Sequence, residues 1–560
     1  MTTTVISFLF FTSIVGLITY LKTRGDNKGS SDGYFLAGRS LTGPVIAGSL
    51  MLTNLSTEQL VGLNGVSFKE GFVCMAWETL ASLALVILAL FFLPRYLKGG
   101  LTTIPQFLED RYDRTTRTMT NILFLSGYLF ILLPTILYSG AVAVSGIFQV
   151  PEMLGIDYVT GIWDSVWGIG LLGSAYAIFG GLKTVAISDS LNGIGLLFGG
   201  VMIPVLGLVA VGDGNFFTGV ATLVREQPQM FNSIGTSEQS VPFSTLFTGM
   251  MLVNVFYWCT NQAIVQRTLG AKNLVEGQKG VLLAAFLKLL GPIILVLPGV
   301  IAFQLFGGEI SNADRAYPML VQKILPPWLT GFFGAVLVGA ILSSFNSALN
   351  SAATLFSKGL YKAYIKPEAS ELQQVGAGKV FGIIIALLAM SGAPLIMNAP
   401  QGLFGYLQQV NGCYSIPILT IILVGMFHKR VPAIAAKVGL VFGVLMYIGA
   451  VFVLQVEMHF LHVMAILFVL NSFMMVSIAA VNPAKTAWKS PSVGAVELTP
   501  WKRAVPCSVI ITALAIANYL FLAPVSKVWL IIPAVFIVLA LIRGINPGPF
   551  EENGVAASKA

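Results

Sequence analysis

Apolar segments of about 20 residues, each long enough for a helix to cross the hydrocarbon core of a bilayer, recur along almost all of this 560-residue chain. Charged residues make up only 10% of the chain, whereas a soluble domain carries about a quarter. Apolar residues make up 56%. These features exclude a large soluble domain and predict an all-α polytopic membrane protein.

The apolar windows predict 14–15 transmembrane helices. The predicted spans lie near residues 4–21, 39–67, 72–97, 120–148, 158–178, 185–211, 241–266, 281–306, 329–356, 376–396, 401–427, 432–455, 460–481, 504–523 and 528–544. We expect a polar outer loop at 212–240, a linker at 482–503 and a disordered tail at 545–560. The four cysteines show no metal-ligand spacing and no disulfide framework.

The distribution of basic residues predicts the orientation of the chain. Lys22, Arg24 and Lys28 follow the first span, which therefore does not read as a cleaved signal, and they predict an outer N-terminus. Alternation from there assigns 26 of the 32 Lys and Arg residues, Arg267 among them, to cytoplasmic segments and 5 to outer segments, with Lys288 inside a span. The same alternation predicts a cytoplasmic C-terminus. The basic loops are thus explained by topology, and we expect no nucleic-acid partner.

A few charged residues fall inside the predicted spans, where each costs about 2.5–3.5 kcal/mol. They are Glu58, Glu78 and Lys288, with Asp189 near the inner end of its span. Structural ion pairs or helix-end positions would account for some of them. Glu78 and Lys288 lie far from any charged loop, so we expect them to neutralise one another or to face a wet cavity.

Two spans carry a polar interruption at their centres. Residues 53–59 read TNLSTEQ, and residues 253–262 repeat the pattern as VNVFYWCTNQ. A polar helix-packing seam is one interpretation. Paired interrupted helices, however, are typical of inverted-repeat transporters with a binding site at the bilayer midplane. We therefore predict one repeat at 31–211, a second at 241–430, an extra helix at 1–30 and accessory helices at 431–544.

Other polar residues could line such a site. Ser343, Ser347 and either Asn350 or Ser351 share one helix face, and oxygen donors without a carboxylate suit a monovalent cation. Small hydroxyl residues also pack transmembrane helices together, so a cation site and a helix-packing surface both remain open as interpretations. Gln408 opens a later span and offers an amide to a solute. Amides, charges and aromatic rings together are typical of sugar recognition.

A set of short motifs runs along the chain: YFLAGRS at 34–40, NLSTEQ at 54–59, FLPR at 92–95, TIPQF at 103–107, GGLKT at 180–184 with Asp189, the NxxYW pattern at 254–258, QRT at 266–268, FLK at 286–288, PG at 298–299 and SS at 343–344. With these motifs the chain resembles the sodium:solute symporter family over residues 30–430, most closely its bacterial sodium/galactose (sodium/glucose) members. The resemblance implies a leucine-transporter-type fold, with a 5+5 inverted repeat and discontinuous helices.

The resemblance also implies the roles of individual residues. Sodium would bind the backbone carbonyls of Leu52, Leu55 and Ala340 and the hydroxyls of Ser343 and Ser344. The sugar ligands would be Gln59, Glu78, Asn254, Lys288 and Gln408. Tyr257 would stack on the sugar and close the site from inside, Asn54 would hold its hydroxyl, Leu63 and Phe404 would form the outer lid, and Asp189 would lie near the sodium exit path. Trp77 and Ala81 replace a Tyr and a sugar-binding Ser of the galactose symporters, a departure that bears on which epimer is preferred.

The resulting hypothesis is sodium-coupled hexose symport by alternating access across a bacterial cytoplasmic membrane. Na⁺ is the co-transported ion, and we expect no organic cofactor. Alternatives are sodium- or proton-coupled symport of another small polar solute such as inositol or sialic acid, a non-transporting nutrient sensor, or a channel. An enzyme is disfavoured, because no Ser/His/Asp, Cys/His or metal constellation and no G-x-x-x-x-G-K-[ST] motif occurs.

Overall fold

The computed structural model describes residues 2–24, 36–310, 312–398, 403–494 and 496–523. These residues are predominantly helical and contain no β-strand, although one isolated bridge joins Leu41 to Ala271. The span predicted at 528–544, the tail at 545–560, Lys28 and Tyr34 lie outside the described residues.

The first half of the chain supplies eleven α-helices among the described residues. They are α1 (Thr2–Thr23), α2 (Gly43–Asn54), α3 (Thr57–Glu70), α4 (Ala76–Ile87), α5 (Leu93–Lys98), α6 (Ile104–Arg111), α7 (Arg114–Gly127), α8 (Leu133–Phe148), α9 (Val150–Leu154), α10 (Tyr158–Val211) and α11 (Phe216–Glu226). Short π-helical turns join α4 to α5 and α7 to α8. Each turn ends just before Pro94 or Pro134, whose missing N–H removes a regular helical hydrogen bond.

The second half of the chain continues the bundle. Its helices are α12 (Gly249–Cys259), α13 (Gln262–Leu269), α14 (Leu274–Lys288), α15 (Leu297–Phe306), α16 (Ala316–Ile324), α17 (Pro327–Phe356), α18 (Glu371–Gly392), α19 (Leu403–Phe427), α20 (Ala433–Ile448), α21 (Phe460–Val481) and α22 (Ala504–Phe521). The region predicted as a polar outer loop therefore contains a helix, α11, which begins after Asn215 because that side chain accepts from the Thr218 N–H.

Helix α10 is too long to be one straight span. Gly173 packs against Phe345, and Gly195 packs against Val336. A straight helix would separate the two glycines by about 33 Å, whereas their partners on α17 lie only about 13 Å apart along that helix. The two parts of α10 therefore run beside the same helix as separate spans, in agreement with the spans predicted at 158–178 and 185–211.

Two ends of the bundle are distinguished by their residues. One end, which we call the basic face, carries Arg39, Lys98, Arg111, Arg117 and Lys358. These residues are linked by bonds such as Arg117 Nη2 to the Lys358 carbonyl (2.6 Å) and Arg39 Nη2 to the Gly100 carbonyl (2.9 Å). The opposite end, which we call the vestibule face, carries Glu70, Ser240, His459 and His462, with Ser240 donating to Glu70 at 2.6 Å.

The two interrupted spans cross the bundle in opposite directions. Helix α2 begins at the basic face, where the Gly43 N–H donates to Glu276 (2.7 Å), and α3 ends at Glu70 on the vestibule face. Just before α12, Thr248 bonds to His462 at the vestibule face, and α13 ends at Leu269, whose carbonyl accepts from Arg39. This antiparallel arrangement is the geometry of an inverted repeat.

The basic face is closed by packing and hydrogen bonds. Arg111 at the end of α6 is buried and donates to the carbonyls of Gly425 (2.6 Å), His428 (2.8 Å) and Val431 (3.2 Å). The predicted linker at 482–503 runs across this face, where Trp488 donates to the Asp110 carbonyl (3.1 Å). Access to the centre of the bundle from this side is therefore blocked.

Within the described residues, ten helical segments are long and apolar enough to span a membrane. The pair Leu274–Lys288 and Pro292–Phe306, bent by 45°, brings the number to eleven. This number is lower than the predicted 14–15 partly because α3 to α5 count as one segment, Thr57–Lys98. Helices α2 and α12 are also too short to count, since each is half of an interrupted span.

Candidate functional site

The first helix break frees two backbone carbonyls at the centre of the bundle. The Ser56 N–H donates to the Asn54 carbonyl (2.8 Å) instead of reaching Leu52, four residues back. The Gln59 N–H donates to the Ser56 carbonyl (3.1 Å) instead of reaching Leu55. Because a regular helix would use both acceptors, the break leaves the Leu52 and Leu55 carbonyls without their helical donors. The second break is at Thr260 and Asn261, so both predicted interruptions are confirmed.

Helix α17 brings hydroxyl groups to the freed carbonyls. Ser344 Oγ donates to the carbonyls of Leu52 (3.3 Å) and Thr53 (3.2 Å), 292 and 291 residues away in sequence. Ser343 Oγ is buried near the Asp189 carboxylate, with no close hydrogen bond among the described residues. The hydroxyls of Ser343 and Ser344 thus lie at the backbone of residues 52 and 53, and the Asp189 carboxylate lies near Ser343. We call this group of oxygen atoms the oxygen cluster; hard oxygen donors of this kind suit a small cation.

A chain of polar contacts links α4, α14, α2 and α12 beside this cluster. Lys288 Nζ forms an ion pair with Glu78 Oε2 at 2.6 Å, and both side chains are at most 3% exposed. Lys288 also donates to Asn54 Oδ1, and Asn54 Nδ2 donates to the Tyr257 hydroxyl at 3.3 Å. The close approach of Glu78 requires a glycine at position 291, because a Cβ there would lie 2.5 Å from the Glu78 carboxylate. The charge of Lys288 is therefore neutralised locally.

A central cavity of about 60 Å³ lies against this chain of contacts. Its wall combines amides, hydroxyls and aromatic rings from both interrupted spans and α19. The lining side chains include Asn54, Glu58, Gln59, Trp77, Glu78, Ala81, Asn254, Tyr257, Asn261, Phe404, Gln408, Asn411, Tyr414 and Ser415. The structure thus brings together Gln59, Glu78, Asn254, Tyr257 and Gln408. Lys288 is not among the lining residues, but it pairs with Glu78 in the cavity wall.

A much larger vestibule of about 810 Å³ leads from the vestibule face toward this cavity. Trp77, Phe404 and Gln408 line both spaces. The rings of Trp77 and Phe404 meet edge to face with centroids 5.5 Å apart. The two aromatic side chains therefore form a thin partition between vestibule and central cavity, while the basic face is closed.

Comparison with known proteins identifies the family of this chain. The family description "Sodium:solute symporter family" matches residues 34–443. The chain belongs to the sodium:solute symporter family. This symporter is 49% identical over 519 residues to the Escherichia coli "Uncharacterized symporter YidK", covering 93% of this chain and 91% of that protein. It is 35% identical to the Vibrio parahaemolyticus "Sodium/glucose cotransporter" (76% and 80% covered) and 30% identical to the human "Sodium/myo-inositol cotransporter 2" (78% and 68%).

Solved structures support the same fold. The symporter superimposes on a substrate-bound, outward-open Na⁺-coupled sialic acid symporter with a TM-score of 0.74 at 19% identity, covering 87% of this chain and 99% of that one. A nucleobase-cation-symport-1 family transporter, Mhp1, matches with a TM-score of 0.50 at 15% identity, covering 81% and 96%. The symporter has a leucine-transporter-type fold, and it is a multi-pass membrane transporter of sodium and a small solute, not an enzyme.

The structure differs from the sequence analysis at two residues. Leu63, predicted for the outer lid, is fully buried and lines neither the vestibule nor the central cavity. Its neighbour Gly62 faces Phe404 instead, where a Cβ would approach the Phe404 Cβ to 2.8 Å. Arg267, assigned by sequence to a cytoplasmic loop, is fully buried in α13. The apolar window ended too early because α13 is the polar half of an interrupted span.

Sequence reasoning also missed side chains that complete the site. The sequence marks Trp77 only as a departure from related symporters, whereas in the structure Trp77 and Phe404 together form the aromatic partition. Thr53 Oγ1 contacts Ser347 Oγ at 3.2 Å and so links α2 to α17 on the basic-face side of the oxygen cluster. Asp189, predicted near the ion path, is buried and accepts from Ser49 Oγ at 2.9 Å. The regular polar spacing on α17 was the only available signal for the Thr53–Ser347 contact.

Proposed function

We propose that this symporter couples the entry of Na⁺ to the uptake of a neutral hexose. The observation that carries the proposal is the central cavity between the two interrupted spans, with a neutralised Glu78–Lys288 pair in its wall and the oxygen cluster of α2 and α17 beside it. Gln59, Glu78, Asn254, Lys288 and Gln408 would bind hydroxyl groups, and Tyr257 would stack on the sugar ring. A related protein that transports glucose with sodium is consistent with this assignment.

The charges around the cavity favour a neutral solute over an acidic one. Among the described residues that line the cavity, the charged side chains are Glu58 and Glu78, and none is basic. Lys288 is bonded to Glu78 and is therefore not free to bind a carboxylate. A carboxylate in this cavity would meet the Glu58 carboxylate and no free cationic partner, which is unfavourable. Glucose, galactose and inositol fit this chemistry better than sialic acid does.

The sodium ligands in this proposal are the carbonyls of Leu52, Leu55 and Ala340 and the hydroxyls of Ser343 and Ser344. An ion bound there would tie the broken span to α17 and order Asn54, which bonds to both Lys288 and Tyr257. Ion binding would thereby raise the affinity for the solute, and the solute would raise the affinity for the ion by the same factor. At 100 mV, one Na⁺ entering the cell supplies about 2.3 kcal/mol.

Transport would proceed by alternating access from the vestibule face, which we assign to the outside of a bacterial cytoplasmic membrane because the opposite face is basic. The central cavity, at about 60 Å³, holds no more than a few water molecules. A hexose therefore requires Trp77 and Phe404 to separate as it enters. Release would require Tyr257 and the closed basic face to open in turn.

We expect an inward Na⁺ gradient to drive the accumulation of labelled glucose or galactose in proteoliposomes. Replacing Na⁺ with choline at constant pH should abolish accumulation, whereas a pH gradient alone should not restore it. In a competition panel, unlabelled hexoses and inositol should inhibit uptake more strongly than sialic acid. Uptake that follows the pH gradient would contradict sodium coupling, and preferential inhibition by sialic acid would contradict the neutral-solute assignment.

Replacing Gln408 with alanine should raise the KM for the hexose about tenfold, the effect expected from one lost hydrogen bond. Gln408 lines both the vestibule and the central cavity. Gln409→Ala is the matched control, because Gln409 lines the vestibule but not the central cavity. Equal KM values for the two variants in the uptake assay would exclude Gln408 as a solute ligand.

A further inference from the structure

Arg267 is a buried charge that solute binding does not explain. It is fully buried on α13, between the second helix break and the basic face. Its Nη1 donates to the Ala263 carbonyl at 2.9 Å and its Nη2 to Ser347 Oγ, while Nε has no partner among the described residues. A buried guanidinium is costly unless it is paired, so its retention in a membrane helix calls for a reason.

The charge of Arg267 is not cancelled by an adjacent carboxylate. Within the described part of the chain, no Asp or Glu oxygen lies within 4.0 Å of its guanidinium. Asp189 attracts Arg267 electrostatically but does not contact its guanidinium: it accepts from the hydroxyl of Ser49 at 2.9 Å and lies near Ser343. A cation that moves from Ser343 toward Ser347 therefore leaves the Asp189 carboxylate and approaches the guanidinium of Arg267, which opposes the movement.

Ser347, which accepts from Arg267, is the next hydroxyl along α17 from the oxygen cluster. It lies one helical turn after Ser343 on the same face, in the direction of the basic face. Ser347 Oγ is 3.2 Å from Thr53 Oγ1, and the Thr53 carbonyl accepts from Ser344. Arg267 is thus one hydroxyl away from the backbone segment that supplies the proposed sodium ligands.

A buried polar row continues from Ser347 toward the basic face. Both amide atoms of Asn350 are buried without a hydrogen-bond partner among the described residues. One turn further, Thr354 Oγ1 accepts from Gln266 Nε2 at 3.0 Å. The side-chain oxygens of Ser347, Asn350 and Thr354 on one helix face would replace part of the hydration shell of a departing cation. Arg267 sits at the first step of this row.

We propose that Arg267 is the plug that retains Na⁺ on its way to the cytoplasm. Its guanidinium holds the first hydroxyl of the exit row and repels the ion, so the ion leaves only when α13 moves and draws Arg267 away from Ser347. Arg267 is therefore a gating residue that prevents sodium from leaking in without solute. This inference rests on the proposed sodium site, and it assigns to α13 the role of coupling ion release to opening of the basic face.

The test is the flux of radiolabelled Na⁺ into proteoliposomes in the absence of any solute. Arg267→Gln should raise this leak about tenfold, as expected when a repulsion between like charges is removed. Arg267→Lys keeps the positive charge and should leak much less than Arg267→Gln. Lys437→Gln is the control for charge removal at the basic face, because Lys437 pairs with Asp113 at 2.8 Å, away from the polar row. Its leak should equal that of the unmodified protein.

An Arg267→Gln variant that folds and leaks no more than the unmodified protein would overturn the proposal. Equal leaks from the Gln and Lys variants would overturn its electrostatic basis. If Arg267→Gln does not fold, Ser347→Ala decides: a raised leak supports the plug, and an unchanged leak refutes it. Sodium-driven hexose uptake by the unmodified protein is measured in the same vesicles. Its absence would refute the proposed function separately from the plug.

Discussion

Replacing Lys288 with methionine should lower hexose uptake by about 10- to 100-fold, the effect of losing a charge-assisted hydrogen bond at the site. The variant removes the ion pair with Glu78 and the donor to Asn54, and Asn54 in turn holds the hydroxyl of Tyr257. It also leaves the Glu78 carboxylate buried without its cation. We therefore expect a loss of about 3–5 kcal/mol in folding stability, measured as a lower Tm in detergent.

A second substitution separates folding from function. In the double variant Glu78→Gln, Lys288→Met, no buried charge remains at the pair, so most of the lost stability should return while uptake stays low. Lys279→Met is the matched control, because Lys279 pairs with Glu276 at 3.0 Å but is 43% exposed. That exposed pair should contribute less than about 1 kcal/mol. Normal uptake by Lys288→Met would show that the pair does not belong to the solute site.

The interrupted spans could be predicted from sequence for a direct physical reason. Polar residues at 53–59 are costly in lipid, and a helix break can use them because it exposes backbone groups that need partners. The structure locates the break at Leu55 and Ser56, within the predicted segment. Lys288 and Glu78 were likewise singled out by their depth, since an isolated charge there requires a partner.

Contacts between distant helices were less accessible from sequence. Ser344 contacts Leu52, which lies 292 residues away in sequence, and only the packing of the helices brings the two residues together. Whether Gly62 or Leu63 faces Phe404 depends on the rotation of α3 about its axis. Because α3 has buried residues on all sides, its sequence pattern does not reveal that rotation. Arg267 was placed in a loop because a charge after an apolar window usually marks a helix end. The interruption instead allows a polar half-helix to remain buried.

Ser343→Ala and Ser344→Ala should each raise the Na⁺ concentration for half-maximal uptake about tenfold, as expected for the loss of one oxygen ligand. Uptake at saturating Na⁺ should be nearly unchanged. The two variants should differ in stability. Ser344 loses hydrogen bonds to the carbonyls of Leu52 and Thr53, whereas Ser343 Oγ loses only its contact with the Asp189 carboxylate.

Ser343→Ala is consequently the sharper test of the sodium site, because it should change the Na⁺ requirement without lowering Tm. Removing a buried hydroxyl that makes no close hydrogen bond costs little folding stability, so a shift in Na⁺ affinity at unchanged Tm reports on the ion site. Ser508→Ala is the opposite control: it removes a buried bond to the Ala504 carbonyl (2.8 Å) on α22, and it should lower Tm slightly without affecting sodium. An unchanged Na⁺ requirement in Ser343→Ala would exclude Ser343 as a sodium ligand.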